Sequence, residues 1–329
     1  MRPVQGQVWS EVPFRHGKGM VRLERSSERS SEREFGMEWR GKRQSSNIED
    51  RRADGSGGLG GGRGRRGRVS AGGGLGLLAI VVVGWFFGVD LSPILNGVSG
   101  DSGASREPGP LSEADVAAGQ FASVTLAYTE DIWAGVFKAQ LGRTYQPATM
   151  VLYKGVTQSP CGTASGATGP FYCPGDRKVY LDTDFFTTMA RDLGAGGDFA
   201  MAYVVAHEIG HHVQGSLGIL AKANALRARV AEAESNAISV LIELQADCLA
   251  GIWARGVEDR FGAIEAGDFA EAINAARQIG DDTLQRNAGQ VPMPDRFTHG
   301  SSAQRARWFQ IGLTSGQMRD CDTFGAGNP

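Results

Sequence analysis

The chain has 329 residues, of which 41% are hydrophobic and 21% charged, with 48 glycines, four cysteines and a net charge of −2. The length allows two domains, but roughly the first 70 positions hold few apolar clusters, which excludes a core there. The net charge says nothing about substrates, because it averages a basic N-terminal part with a more acidic remainder.

Residues 1–70, rich in Arg, Ser, Glu and Gly, read as a disordered Arg/Gly-rich tail. Arg63, Arg65, Arg66 and Arg68 sit among glycines, a composition that can bind nucleic acid. Their place just before a long uncharged run favours the cytoplasmic flank of a membrane anchor, so no nucleic-acid partner is expected. The run reads as one transmembrane helix over 71–89, just long enough to span a bilayer. Arginines before it and Asp90 and Asp101 after it give a cytoplasmic N-terminus and an outward-facing remainder. No small-residue cleavage site follows Val89, which argues against a signal peptide.

Residues 90–110 form a Gly/Ser/Pro linker, and the domain proper is expected over 111–329. Ser112 with Asp115 is an N-cap box opening helical pattern to Leu141. Tyr145–Tyr153 and Lys178–Leu181 read as strands, and the resemblance described below implies that the second is the edge open to an extended peptide. A short helix over 184–192 precedes a glycine break, and a longer one begins at Asp198. Residues 221–256 are helical by composition, with an interruption near Ser235-Asn236, and another helix covers 267–280. A Pro-containing loop over 287–298 leads to a last helix, 301–312.

The chemistry lies in the helix from Asp198. His207-Glu-Ile-Gly-His211 fits H-E-x-x-H. In a helix the two histidines lie about 40° apart around the axis and roughly 6 Å along it, on one face, where they can share a Zn²⁺ ion. Glu208 is placed as a general base and not as a ligand. Downstream, Glu243 and Asp247 are four apart within an apolar pattern, where carboxylates are costly to bury without a cation or strong donor. Glu243 completes a His₂Glu set with an open fourth position, and Asp247 suits a supporting role, accepting the free N–H of a ligating histidine. His299 and Arg305 are of the type that stabilises an oxyanion or anchors a substrate carbonyl. His212 points about 100° away from the ligand face and is left out.

The four cysteines, Cys161, Cys173, Cys248 and Cys321, all follow the expected span, in a compartment where disulfides persist. Of three connectivities, 161–173 with 248–321 is preferred, because the first pair flanks a closed loop with prolines beside it. Four free thiols, or a structural zinc lacking any C-x-x-C spacing, are the alternatives.

H-E-I-G-H followed by E-L-Q-A-D resembles the gluzincin zinc peptidases with E-x-x-A-D as the second helix motif. The Thr298-His299 to Arg305 segment resembles that of CAAX-prenyl-protease-like gluzincins, with Gly300 in place of their proline. From Met37 onward the chain is more similar to the bacterial family called "putative neutral zinc metallopeptidase". The resemblance is carried by Trp39–Arg51, Phe171–Asp182 and His299–Phe309. Residues 1–36 fall outside it, and Met37 reads as the true start. These observations imply an α+β fold, a mainly helical zincin-like domain with a small sheet. They imply a zinc-dependent endopeptidase acting on peptides or proteins, attached by one helix to a bacterial cytoplasmic membrane, with the domain outside. The competing class is a membrane-anchored scaffold that keeps zinc for stability alone. Natural substrate, need for a partner and oligomeric state are not legible.

Overall fold

The computed structural model describes residues 37–53, 110–165, 168–265 and 267–325. The expected span 71–89 and nearly all of the 90–110 linker lie outside the described residues. The described ones fall in one compact unit.

The sheet comes first in the chain and is assembled from distant pieces. Strand β1 (Ile48–Asp50) pairs in parallel with β2 (Thr149–Tyr153), β2 in parallel with β6 (Lys178–Asp182), and β6 antiparallel with β5 (Phe171–Cys173). The order is β1-β2-β6-β5, with Ile48 opposite Met150, Val151 opposite Tyr180 and Tyr172 opposite Val179. The edge beside the site is therefore β5, whereas the sequence pattern gave that place to 178–181, which is an interior strand. A separate hairpin, β3 (Val156–Ser159) with β4 (Gly162–Ser165), lies between β2 and β5 in the chain.

Side chains alternate across a strand, so each strand serves two layers. Met150, Leu152, Tyr172, Val179 and Leu181 face the helices and join the main core. Val151, Tyr153, Phe171 and Tyr180 form a smaller core on the other face, where the Phe171 and Tyr180 rings stack at 4.9 Å. Cys161–Cys173 closes that side, and Cys248–Cys321 ties a core helix to the C-terminal segment, the preferred pairing in both cases.

Helix α1 (Glu113–Val136) starts at the Ser112/Asp115 capping box and runs on as one π-type turn, Phe137–Leu141, stopped by Gly142. Then follow α2 (Phe185–Asp192), α3 (Asp198–Ser216), α4 (Ile219–Arg227), α5 (Glu232–Phe261), α6 (Asp268–Gln278), α7 (Asp281–Asn287) and α8 (Ser302–Ser315). The break in the long helical stretch falls at 228–231, ahead of the expected Ser235-Asn236. Helix α5 is long and apolar enough to cross a bilayer, yet most of it is buried, as the central helix of the core. Two glycines set how closely its neighbours approach. A Cβ at Gly210 of α3 would lie 3.0 Å from the Ala246 carbonyl, and one at Gly312 of α8 would lie 1.8 Å from the Cys248 carbonyl. Any side chain there would force α3 or α8 away from α5.

Residues 37–53 correct the expected disordered 1–70 tail. Met37 and Trp39 are buried in the main core, and Trp39 packs edge-on against Phe121 at 5.6 Å. The Met37 N–H donates to Asp198 and the Glu38 N–H to the Ala263 carbonyl, both at 2.9 Å. The arginines that suggested a solvated tail have partners: Arg43 pairs with Glu130 and Asp131, and Arg52 with Asp50 and the Asp115 carbonyl. A low-hydrophobicity segment cannot build a core, but it can add a strand and ion pairs to an existing one. Residues 37–53 and 110–325 thus pack into the same compact unit.

If this docking carries stability, Trp39→Ala should cost about 3 kcal/mol, as for a large aromatic deleted from a core. Urea unfolding checks this, and an unchanged midpoint would mean that the segment is not docked.

Candidate metal centre and pocket

Three buried donors converge where α3 meets α5. His207 and His211 come from one face of α3, and Glu243 from the facing side of α5. Their ligand atoms all lie within 4.8 Å of one another. His207 Nε2 is 3.1 Å from Glu243 Oε2, and His211 Nε2 is 3.5 Å from Glu243 Oε1. Tetrahedral zinc with bonds of about 2.0–2.1 Å needs ligand atoms about 3.3 Å apart, so two imidazoles and a carboxylate gathered this closely make a donor set that could hold the ion.

The other ring nitrogen of each histidine is held in turn. His207 Nδ1 lies 2.8 Å from Asp247 Oδ1, the supporting role expected of that acid. Asp247 also accepts from Tyr203 Oη at 2.6 Å and takes a two-pronged contact from Arg305, Nε at 2.8 Å and Nη2 at 2.9 Å. His211 Nδ1 lies 2.9 Å from Gln214 Oε1. Gln214 donates to the Ile242 carbonyl and to Gln245 Oε1, and Gln245 donates to the Cys321 carbonyl at 2.9 Å. The 248–321 disulfide therefore stands behind the second ligand as well as the third. Tyr203, Gln214 and Gln245 went unnoticed in the sequence. Their signal is periodicity: Tyr203 lies four residues before His207, and Gln214 three after His211.

Arg305 departs from its expected role at a substrate carbonyl. Its donors are spent on Asp247, the Ile279 carbonyl and Tyr203, so it braces the Asp247–His207 pair. His299 does reach the pocket, held by Asp281, another residue not singled out from sequence. Asp281 Oδ2 accepts the backbone N–H groups of Thr298, His299 and Gly300 at 2.7, 2.7 and 3.0 Å, while Oδ1 lies 3.2 Å from His299 Nδ1. The loop is fixed and Nε2 is left for the pocket. His212 is structural, with Nε2 on the Gln146 carbonyl at 2.8 Å and its ring edge-on to Tyr145 and Tyr172.

Electrostatics separate the groups. Burial drives His211 down to about 4, so its imidazole is neutral at pH 7. Burial also opposes charge on His207, but Asp247 overrides it and pushes the ring up to about 10. Burial acts against the Glu243 carboxylate too, yet His211 and His207 hold it well below the usual range. Glu208 is pushed up to about 7 by burial, with His207 opposing. A carboxyl near neutrality can both take and release a proton at physiological pH. His207, Glu208, His211, Glu243, His299 and Arg305 all line one cavity of about 150 Å³, whose remaining walls are apolar.

The family model described as "Putative neutral zinc metallopeptidase" matches residues 37–324. The chain belongs to this family. It is similar to "Uncharacterized protein YpfJ" of Escherichia coli (strain K12), 46% identical over 289 residues, which is 88% of this chain and 99% of that one. It is also similar to "Uncharacterized protein Rv2575" of Mycobacterium tuberculosis (strain ATCC 25618 / H37Rv), 41% identical over 192 residues, 55% of this chain and 64% of that one. No solved structure matches. A zinc-peptidase family and a zinc-compatible donor set agree on Zn²⁺ as the metal of this centre.

The paired contacts on the ligands give a measurable outcome. Gln214→Leu should lower zinc affinity by about 10- to 100-fold, the usual effect of removing a ligand's hydrogen-bonding partner. Binding zinc expels the proton that Asp247 favours on His207, so affinity should fall as pH drops from 9 to 6. Competition against a chromophoric chelator measures both; affinity independent of pH would contradict the His207 assignment.

Proposed function

We propose that the protein is a zinc-dependent endopeptidase. What carries this reading is the position of Glu208, a buried carboxyl beside the three donors, on the cavity wall and outside the ligand set. A centre that served stability alone would gain nothing from a buried acid there, and would carry the cost of desolvating it.

His207, His211 and Glu243 would hold the zinc, which when bound would supply Lewis acidity for the scissile carbonyl and the attacking water. Glu208 would take a proton from the attacking water and hand it to the departing amine, a transfer that its buried position on the cavity wall suits. His299, fixed by Asp281 and favoured in its charged form by that carboxylate against burial, donates from Nε2 to the oxygen that becomes negative. Arg305 and Tyr203 act through Asp247, keeping the His207 ring in place. The β5 edge supplies main-chain groups along which an extended peptide can lie.

Glu208→Gln should keep about one equivalent of zinc and lose at least about 10²-fold in hydrolysis of casein or a peptide library. His207→Ala and Glu243→Ala should lose the metal itself. Full activity in Glu208→Gln would sink the mechanism, and absence of activity in zinc-loaded wild type would favour the scaffold class.

For location, we propose that the folded unit lies outside the bacterial cytoplasm and is attached through the apolar run 71–89. The two disulfides support the oxidising side. The docking of 37–53 onto the rest of the unit supports a topology with both flanks of that run on the same side, in place of the expected single crossing. Tags placed directly ahead of Met37 and after Pro329 should both be accessible to protease in spheroplasts. An internal first tag with an external second one would restore the single crossing.

A further inference from the structure

We infer that Asp198, Asp268 and Glu271 form the seat of an α-ammonium group, the free amine of a chain that begins at Met37. The observation that points there is a main-chain nitrogen at the seat. Met37 N lies 2.9 Å from Asp198 Oδ1, and the Met37 side chain is buried in the main core. The next residue is pinned to the same corner, with the Glu38 N–H on the Ala263 carbonyl at 2.9 Å. The family match also begins at residue 37.

The acids exceed what a peptide N–H needs. Each of the three offers an oxygen, and these oxygens lie within 4.8 Å of one another, in the first turns of α3 and α6. Burial raises all three carboxyls above their usual range, Asp268 to about 6. The neighbouring charges that act on them add to the repulsion, being the acids themselves with Glu258 and Glu265. Helix starts favour acids, which accounts for carboxylates at these positions. It does not account for Glu271 Oε2, which is enclosed and accepts from no donor among the described residues.

Carboxylates crowded and desolvated in this way call for a cation. A peptide N–H at Met37 brings one donor and no charge. An ammonium at the same atom brings three donors and a full positive charge. The pair would have a structural consequence for the metal centre. It joins the start of the chain to α6 and to the first turn of α3, the helix that carries His207, Glu208 and His211.

The test expresses the whole coding sequence, residues 1–329, with a C-terminal tag, and identifies the N-terminal peptide of the purified protein by mass spectrometry. A chain starting at Met37 with an unblocked amine is expected; a start ahead of Met37, or a blocked amine, overturns the pairing. Competitive acetylation at pH 8 then reads the amine in the folded protein. It should react at least about tenfold more slowly than in urea, because paired carboxylates raise an α-amine above its usual pKa of about 8. Equal rates in both states overturn the proposal. Glu271→Gln supplies a sign. With the ammonium seated, the variant loses an attraction and should unfold about 2–4 °C lower. Without it, the same change relieves repulsion between acids, and a higher midpoint overturns the proposal. Asp268→Asn should bring the acetylation rate towards that in urea, and an unchanged rate counts against the seat.

Discussion

The structure depends on how the Asp247 carboxylate is buried. It lies in the middle of α5, fully enclosed, with Tyr203 and His207 of α3 and Arg305 of α8 arranged around it. Moving a carboxylate and a guanidinium out of water costs several kcal/mol each, and only good geometry with every remaining lone pair satisfied offsets that. Here the guanidinium fork meets both oxygens, and the hydroxyl and imidazole take what is left. The arrangement exists only when α3, α5 and α8 sit in one relative register. The same contacts that hold these helices together therefore orient the first metal ligand, and fold and centre cannot be separated in this domain.

The backbone allows that register through residues that are small. Gly210 brings α3 against Ala246, and Gly312 brings α8 against Cys248. Gly210 is the fourth residue of His207–His211 itself, so one five-residue stretch supplies two of the three converging donors and the contact surface for the helix bearing the third. On the far side of α5, the Gln214–Gln245–Cys321 chain and the disulfide do for His211 what Arg305 and Asp247 do for His207. Both histidines are held from behind by groups that reach into other elements.

Much of this was legible in the sequence because it is local. The four-residue spacing of His207 and His211, and of Glu243 and Asp247, is a helical period, and period is what a sequence displays directly. The capping box at Ser112 and the start of α3 at Asp198 are local for the same reason. What escaped notice depends on residues far apart in the chain. Asp281 is unremarkable until the backbone of 298–300 folds over it. Arg305 resembles a substrate anchor until Asp247 is found within its reach. The strand at 48–50 has too few apolar residues to announce itself, because it borrows its core from β2 and α1 and spends its own Glu49 and Asp50 on Arg51 and Arg52. Edge order in a sheet is likewise a matter of topology, which is why β5 and β6 were exchanged.

The polar and apolar halves of the cavity complete the argument for a working site. The donors, their supports and the Cys321 carbonyl form a closed polar network, in which almost every buried group has a partner. Glu208 stands at the border of that network: buried, raised towards neutrality, and facing the apolar walls formed by Phe185, Leu193 and Leu284. The site thus joins a polar network, held from behind, to a recess lined mainly by apolar side chains. The fold spends its most expensive burial, Asp247 with Arg305, on the rigid half, while the recess needs only ordinary apolar packing. The three donors are therefore held by contacts that do not run through the recess walls.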